Sequence, residues 1–161
     1  MTMIYVQFSD SSQTAVVGVF ASPQNANVYA NQAQIDDSDP RYLAFVNPSS
    51  TLTGAQVAQI AIIEIAYQAA IQQPVNYMGT TFQADNDSQA VLAKSLAAGS
   101  VPTGFFWLDK NNAQVSMTFA QLQGLAGAML AQGQAAFAKK TGLKQQIRGA
   151  TTVAAVRAIN W

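Results

Sequence analysis

Residues 53–73 read TGAQVAQIAIIEIAYQAAIQQ, and Pro74 follows them directly. Thr53 and Gln56 have the spacing of a capping box, and a proline cannot continue a helix. We therefore predict a helix over about 53–73, of roughly five turns at 3.6 residues each. Its apolar side chains form two stripes, Val57, Ile60, Ile63, Tyr67 and Ile71 on one side and Ile62, Ile65, Ala66 and Ala69 on another.

A helix that is apolar on two sides needs two partners. One side could pack on its own domain and the other on another subunit, or both could lie inside one core; the sequence leaves both readings open. The apolar window Val57–Ile71 contains Gln59, Glu64 and Gln68 and is short for a bilayer, so we predict no membrane insertion.

Before this helix, the chain predicts a small β-rich N-terminal module over residues 1–48. Residues 3–8 and 14–20 are rich in β-branched and aromatic residues and are separated by turn formers, which is typical of a β-hairpin. A short third strand is expected near residues 33–35. Asp39 before Pro40 then predicts the start of a short helix.

After Pro74, we predict two units that each consist of a hairpin and a helix, within an α+β C-terminal domain over 49–161. The first has strands near 75–78 and 81–84 and a helix capped by Asp85 or Asp87. The second has strands near 104–109 and 113–117, then a helix from Thr118 to about Lys140. Further helices are predicted over 143–148 and after Thr152. The predicted fold class is α+β.

The composition argues against catalysis. The chain has no His and no Cys among its 161 residues, and a count gives one glutamate, Glu64. A histidine is the usual general base near neutral pH, and a cysteine is the usual thiolate nucleophile. A glycosidase such as a host-surface depolymerase usually needs a pair of carboxylates, and Glu64 has no obvious mate. We therefore predict that the protein is not an enzyme and has no cofactor.

Charged residues are scarce and unevenly placed. They make up 10% of the chain, whereas Ala and Gln contribute 29 and 19 of the 161 positions by count. An uncharged surface is easily desolvated and suits a subunit that acts by contact; compositional drift is the alternative. Residues 1–90 carry seven acids and one base, and residues 91–161 carry seven bases and one acid. This asymmetry either steers association or is neutralised within the fold.

Two short clusters are weak candidates for other sites. Asp36, Asp37 and Asp39 could offer oxygens to a hard cation, but the glycine and downstream glutamate of a calcium loop are missing. The bases Lys139, Lys140, Lys144 and Arg148 have no interleaved aromatic residues, so we interpret them as a solvated helix face. We predict no metal site and no nucleic-acid partner.

Several segments together resemble a known group of proteins. DPRYLAF at residues 39–45 resembles a signature common in small tail proteins and tail-fibre assembly proteins of tailed phages and prophages. YMGTTFQAD at 77–85, FWLDKNNAQV at 106–115, Thr118 and IRGATTV at 147–153 are similar, in order and spacing, to an uncharacterised domain of phage tail and tail-fibre-associated proteins. That pattern often carries a histidine in its penultimate helix, which this chain lacks.

The resemblance implies a tail protein, made in the host cytoplasm and located in the virion. The expected function is that of a structural, fibre-associated or adaptor-like tail subunit that acts by protein–protein contact, in several copies or as a homo-oligomer. The alternative is a tail-fibre assembly chaperone. The expected partners are other tail or tail-fibre proteins. The candidate interface residues are Arg41, Tyr42, Phe45, Ile60, Ile63, Tyr67 and Trp161.

Overall fold

A computed structural model describes residues 2–161. It confirms the predicted α+β class, because helices and short antiparallel sheets alternate along the chain. In these described residues the strands are β1 Met3–Phe8, β2 Val16–Phe20, β3 Gln32–Asp36, β4 Val75–Tyr77, β5 Thr80–Phe82, β6 Phe106–Leu108 and β7 Gln114–Ser116. The α-helices are α1 Pro40–Val46, α2 Leu52–Ile71, α3 Asn86–Ala97, α4 Phe119–Gly149 and α5 Val153–Arg157, with a 3-10 turn at Pro48–Ser50.

The chain divides into two compact units. The first combines the described residues of Met1–Ile60 with Ile147–Ile159, and the second combines Ala61–Gln146 with Asn160–Trp161. Two of the three divisions fall within the long helices α2 and α4, and the third follows α5. The sequence-based boundary between residues 48 and 49 coincides with none of them, and it stays a prediction.

The first unit contains a three-stranded antiparallel sheet in the order β2-β1-β3. Alternate residues of β1 point to one side, so that Val6 and Phe8 are buried and Ile4 packs beside them. Val16 and Ile35 from the neighbouring strands complete this small core, and Tyr42 of α1 packs against it. The predicted hairpin and third strand are thus present.

Helix α1 begins as predicted, with Asp39 as its N-cap and Pro40 at the first position. The Asp39 carboxylate accepts a hydrogen bond from the Arg41 backbone N–H at 2.9 Å. It also forms an ion pair with the Arg41 guanidinium, with a nitrogen–oxygen distance of 2.6 Å. The side-chain hydrogen bond from Arg41 is the main reason that the pKa of Asp39 is lowered to about 2.

Helix α2 does not use the predicted capping box. Its first turn is capped instead by Thr51, whose hydroxyl accepts the Gly54 N–H at 3.0 Å. Gln56 is occupied elsewhere, since its side-chain amide donates to the carbonyls of Ile147 and Ala150 at the end of α4. The prediction was wrong because a tertiary contact took the glutamine side chain away from the local cap.

The second unit surrounds its own core. Hairpin β4–β5 turns at Met78 and Gly79, both with positive φ, as a two-residue hairpin of the I′ type requires. Asp85 caps α3 by accepting the Ser88 N–H at 2.9 Å. The buried members of this core are Val75, Phe82, Ala84, Leu92, Trp107, Met117, Leu122 and Leu125.

Helix α4 is one continuous helix and not the two that the sequence predicts. Its start is confirmed: Thr118 and Gln121 form a reciprocal capping box, with Thr118 N–H donating to the Gln121 side chain at 2.8 Å. The break expected after Lys140 is absent. Thr141 directs its hydroxyl to the Phe137 carbonyl of the preceding turn, and a single glycine, Gly142, is tolerated within the helix.

The glycines of α4 differ in what surrounds them. A Cβ added at Gly124 would lie 2.0 Å from the Tyr77 hydroxyl oxygen and 2.5 Å from its Cζ, whereas a Cβ at Gly127 meets nothing within 4 Å. The close neighbour of Gly124 is therefore Tyr77 of the β4–β5 hairpin.

We predict that Gly124→Ala lowers the free energy of unfolding by about 1–3 kcal/mol, because the methyl group displaces Tyr77. Gly127→Ala on the same helix is the matched control and raises it by up to about 1 kcal/mol through helix propensity. Urea denaturation followed by circular dichroism measures both. Equal effects of the two substitutions would contradict the close packing of Tyr77.

Candidate functional site

The part of α2 in the second unit exposes large apolar side chains. Ile62 and Ile65 are 52% and 72% exposed, and Ala61 and Ala69 next to them are also exposed. Spacings of three and four residues place these four side chains on one side of the helix. We call these four residues the α2 apolar face. It has no charged side chain, so little polar surface would need to be desolvated for a partner to cover it.

Helix α4 exposes a second apolar pair. Leu130 and Phe137 are 62% and 56% exposed and are seven residues apart, which places them two turns apart on one side of the helix. They border a groove of about 510 Å³, which also involves side chains of α2 and α3. The large apolar residues of this groove are Tyr67, Ile71, Leu92, Leu96, Met129, Leu130 and Phe137.

Glu64 is held by two lysines of α4. Lys144 Nζ lies 2.6 Å from one carboxylate oxygen, and Lys140 Nζ lies 3.3 Å from the other. The hydrogen bond from Lys144 is the largest cause that lowers the pKa of the Glu64 carboxyl, and Lys140 adds to it. A catalytic acid at neutral pH needs a raised pKa, so the environment of Glu64 favours a structural ion pair.

Aromatic rings flank this ion pair. Lys140 Nζ lies 3.7 Å from the centroid of the Tyr67 ring, which suits a cation–π contact. Tyr67 in turn faces Trp161 with a centroid distance of 6.5 Å, and Lys139 Nζ lies 4.8 Å from the Trp161 ring. Two of the predicted interface residues, Tyr67 and Trp161, are therefore brought together and are half-buried within the second unit.

The other predicted interface residues are distributed differently. Arg41 donates to Asp39 and to the Gln13 carbonyl, and its guanidinium lies 4.8 Å from the centre of the Phe8 ring, so it is engaged within the first unit. Tyr42 packs on the sheet of that unit, and Phe45 is exposed. Ile60 is half-buried, and Ile63 is completely buried. Ile63 is therefore a core residue of this chain.

The exposed residues Ile65, Leu130 and Phe137 were absent from the predicted interface set. The i, i+7 spacing of Leu130 and Phe137 was visible in the sequence, but periodicity does not tell which side of a helix the core will cover. Two sides of α2 were apolar, and the tertiary structure of the second unit distinguishes them: Ile63 is buried, whereas Ile62 and Ile65 are exposed. The sequence therefore showed that these helices have apolar stripes, but it did not show which stripe would be exposed to solvent.

Two carboxylates of the acidic cluster, those of Asp36 and Asp39, form local hydrogen bonds or ion pairs. Asp36 accepts the Ser38 N–H at 2.9 Å, and Asp39 is paired with Arg41. Across residues 2–161, no three acidic, histidine or cysteine side chains come together in a way that could hold a metal ion.

By length and composition, α2 could cross a membrane. Its most apolar window has a mean hydropathy of 1.2, and 17% of that window is buried. The helix begins five residues before the window considered in the sequence, so length no longer argues against a span. Polar contacts do argue against it, because Glu64 binds two lysines and Gln59 donates to the Ile159 carbonyl at 2.7 Å. The absence of membrane insertion stays a prediction.

We predict a pH-dependent contribution of Glu64 to stability. Because its folded pKa is below the ordinary value of 4.5, the contribution is fully present above that value and is lost as pH falls through the lowered pKa. Glu64→Gln should therefore destabilise the protein at pH 7 and have a diminishing effect below about pH 4. Thermal unfolding of both proteins between pH 7 and pH 3 tests this.

The control is Asp87→Asn, which removes a carboxylate that has no ion-pair partner among residues 2–161. Because Asp87 lies in the first turn of α3, it interacts only with the helix dipole, and Asp87→Asn should lower the melting temperature at pH 7 less than Glu64→Gln does. A Glu64→Gln effect that stays constant down to pH 3 would contradict the ion-pair assignment.

Comparison with protein families gives a match to a domain of unknown function, DUF4376, over residues 54–160. Comparison with curated proteins and with solved structures gives no match. The matched range includes α2 from Gly54 onward, both short hairpins, α3, α4 and α5, and therefore the α2 apolar face and the groove. The family description assigns no activity, so the resemblance to tail proteins stays a prediction. Since the match covers more than half of the chain, the protein belongs to the DUF4376 family.

Proposed function

We propose that this protein is a structural component of a phage tail, a fibre-associated or adaptor-like subunit that acts by protein–protein contact in the virion. The observation that carries the contact function is the α2 apolar face, where Ile62 and Ile65 are mostly exposed on a helix segment without an exposed charge beside them. The tail setting comes from the sequence resemblance. No catalytic step, cofactor or nucleic acid is part of the proposal.

The physical argument concerns what a partner gains by covering this face. Burying an isoleucine side chain contributes about 1.5–3 kcal/mol, and alanine neighbours lose no side-chain conformational freedom on contact. Contiguous exposed apolar residues on a folded chain commonly mark interaction sites. The expected partners are other tail or tail-fibre proteins and further copies of this chain.

The groove beside Leu130 and Phe137 supports the alternative, a tail-fibre assembly chaperone. A groove of about 510 Å³ is large enough to accept side chains of another polypeptide, and it is lined largely by apolar residues. A chaperone would bind the C-terminal tip of the fibre during trimerisation and then leave or stay. The two candidates differ in whether the protein is found in finished particles.

We predict that mass spectrometry of purified particles finds this protein in a fixed ratio to known tail proteins. Deletion of its gene should then give particles that lack the attached fibre or adaptor, while the fibre protein itself remains soluble. If the protein is absent from particles and its deletion makes the fibre insoluble, the structural proposal is overturned and the chaperone is supported.

We predict that Ile65→Asp weakens assembly without unfolding the chain, because Ile65 is exposed and makes its contribution only when a partner covers it. Loss of one interface isoleucine costs roughly 2 kcal/mol, a change in dissociation constant of about 30-fold. Analytical ultracentrifugation measures self-association, and co-purification with tail proteins measures hetero-association. Circular dichroism verifies the fold.

Val28→Asp is the matched control, since Val28 is equally exposed but lies between β2 and β3 in the first unit. It should leave assembly unchanged. If Ile65→Asp unfolds the protein, or if neither form of association changes, the α2 apolar face is not the contact surface.

A further inference from the structure

A second cavity of the second unit has a different chemical character from the groove. It has a volume of about 510 Å³ and lies where the start of α3 meets β6. Its aromatic wall consists of the consecutive residues Phe105, Phe106 and Trp107, of which Phe106 is exposed and Trp107 is buried, and its acidic rim consists of the exposed residues Asp85 and Asp87. No basic residue lines it among the residues described. We call it the aromatic pocket.

The aromatic wall is held in place by the fold. Trp107 is buried and its ring centre lies 6.4 Å from that of Phe105. The Phe105 carbonyl accepts the Met117 N–H at 3.0 Å, which fixes the backbone just before β6. Phe106 is exposed, so part of the wall is free to contact a ligand. The pocket is therefore largely formed in the absence of a ligand.

The carboxylates give the pocket its charge. Asp85 is occupied in part, because it accepts hydrogen bonds from the Ser88 N–H at 2.9 Å and hydroxyl at 3.1 Å. The backbone N–H of Asp87 also contributes to lowering the pKa of the Asp85 carboxyl, whereas the Asp87 carboxylate is exposed and forms none of the ion pairs found within residues 2–161. A helix N-terminus carries a partial positive charge of about +0.5, which two carboxylates exceed. The pocket is thus anionic at its rim and aromatic at its wall.

We propose that the aromatic pocket binds the guanidinium group of an arginine side chain from a partner polypeptide. A planar guanidinium can stack on an aromatic ring while it donates to a carboxylate, and it is less strongly hydrated than an ammonium. The aliphatic part of the arginine would lie against Val91 and Leu108, which also line the cavity. The exposed rim residues leave room for the backbone of the partner outside the pocket.

This inference does not rest on the proposed tail function. It uses neither the α2 apolar face nor the resemblance, and it would hold for any partner that presents an accessible arginine. Failure of the particle experiment would leave it standing, and its own failure would leave the tail proposal standing.

The test is a titration of the ¹⁵N-labelled full chain with N-acetyl-arginine-N-methylamide, followed by two-dimensional NMR. The Trp107 indole signal is identified by its persistence in Trp161→Phe. We expect saturable shifts of the Trp107 indole and of the Asp87 and Ser88 amides, with a dissociation constant on the order of 1 mM for a single residue. The citrulline analogue, which has the same shape and no charge, should bind at least about tenfold more weakly.

Two variants locate the binding. Asp87→Asn and Phe106→Ala should each weaken arginine binding by about tenfold, and Asp37→Asn, the same charge change in the first unit, should have no effect. Asp87→Asn changes an exposed side chain, so it keeps the test valid even if Phe106→Ala does not fold. Equal binding of arginine and citrulline probes, the absence of saturable shifts, or an unchanged affinity in Asp87→Asn would each overturn the proposal.

Agmatine distinguishes a polypeptide from a small-molecule source of the same group. It carries the guanidinium without a peptide backbone. Binding of the blocked arginine at least as tight as that of agmatine supports a partner polypeptide. Agmatine binding that is more than about tenfold tighter would assign the pocket to a free small cation and overturn the partner assignment.

Discussion

Glutamine side chains that donate to main-chain carbonyls at or just beyond the ends of helices are the constraint on which much of this structure depends. The last carbonyls of a helix have no partner within the helix, and leaving them unpaired in a buried position costs about 1–3 kcal/mol each. In the first unit, Gln56 donates to the end of α4 and Gln59 to Ile159. In the second, Gln132 donates to the Gln73 carbonyl at 2.7 Å, and Gln89 donates to the Ile71 carbonyl at 2.9 Å. The abundance of glutamine thus has a structural reason besides an uncharged surface.

Within the second unit, one side of α2 is buried and paired with α4, and the opposite side is exposed. Ile63 is buried, Glu64 pairs with Lys140 and Lys144, and the opposite side with Ile62 and Ile65 stays exposed. The charged side chains Glu64, Lys140 and Lys144 form ion pairs between α2 and α4, so they do not interrupt the exposed apolar residues of α2. A surface that is apolar, small in side-chain volume and free of charge suits binding to another protein surface.

The two cavities of the second unit differ in the chemistry they offer. The groove beside Leu130 and Phe137 is lined mainly by aliphatic and aromatic carbon. The aromatic pocket adds carboxylates to its aromatic wall. An apolar groove gains stability from buried area, whereas a charged aromatic pocket selects for a particular group. In the proposed contact function, the groove would contribute buried area and the carboxylates of the aromatic pocket would help to orient a partner.

The sequence by itself determined the α+β class, the order of strands and helices as far as α4, and the caps at Asp39 and Thr118, and it narrowed the cap of α3 to Asp85 or Asp87, because these depend on short-range patterns and local hydrogen bonds. Tertiary structure alone decided the rest. In the folded chain, Gln56 donates to the end of α4 and does not cap α2, and α4 continues past Lys140. Ile63 is buried, whereas Ile65 is exposed. The physical reason is that a helix with two apolar sides has no local preference between them, so distant residues that pack on it select the core side.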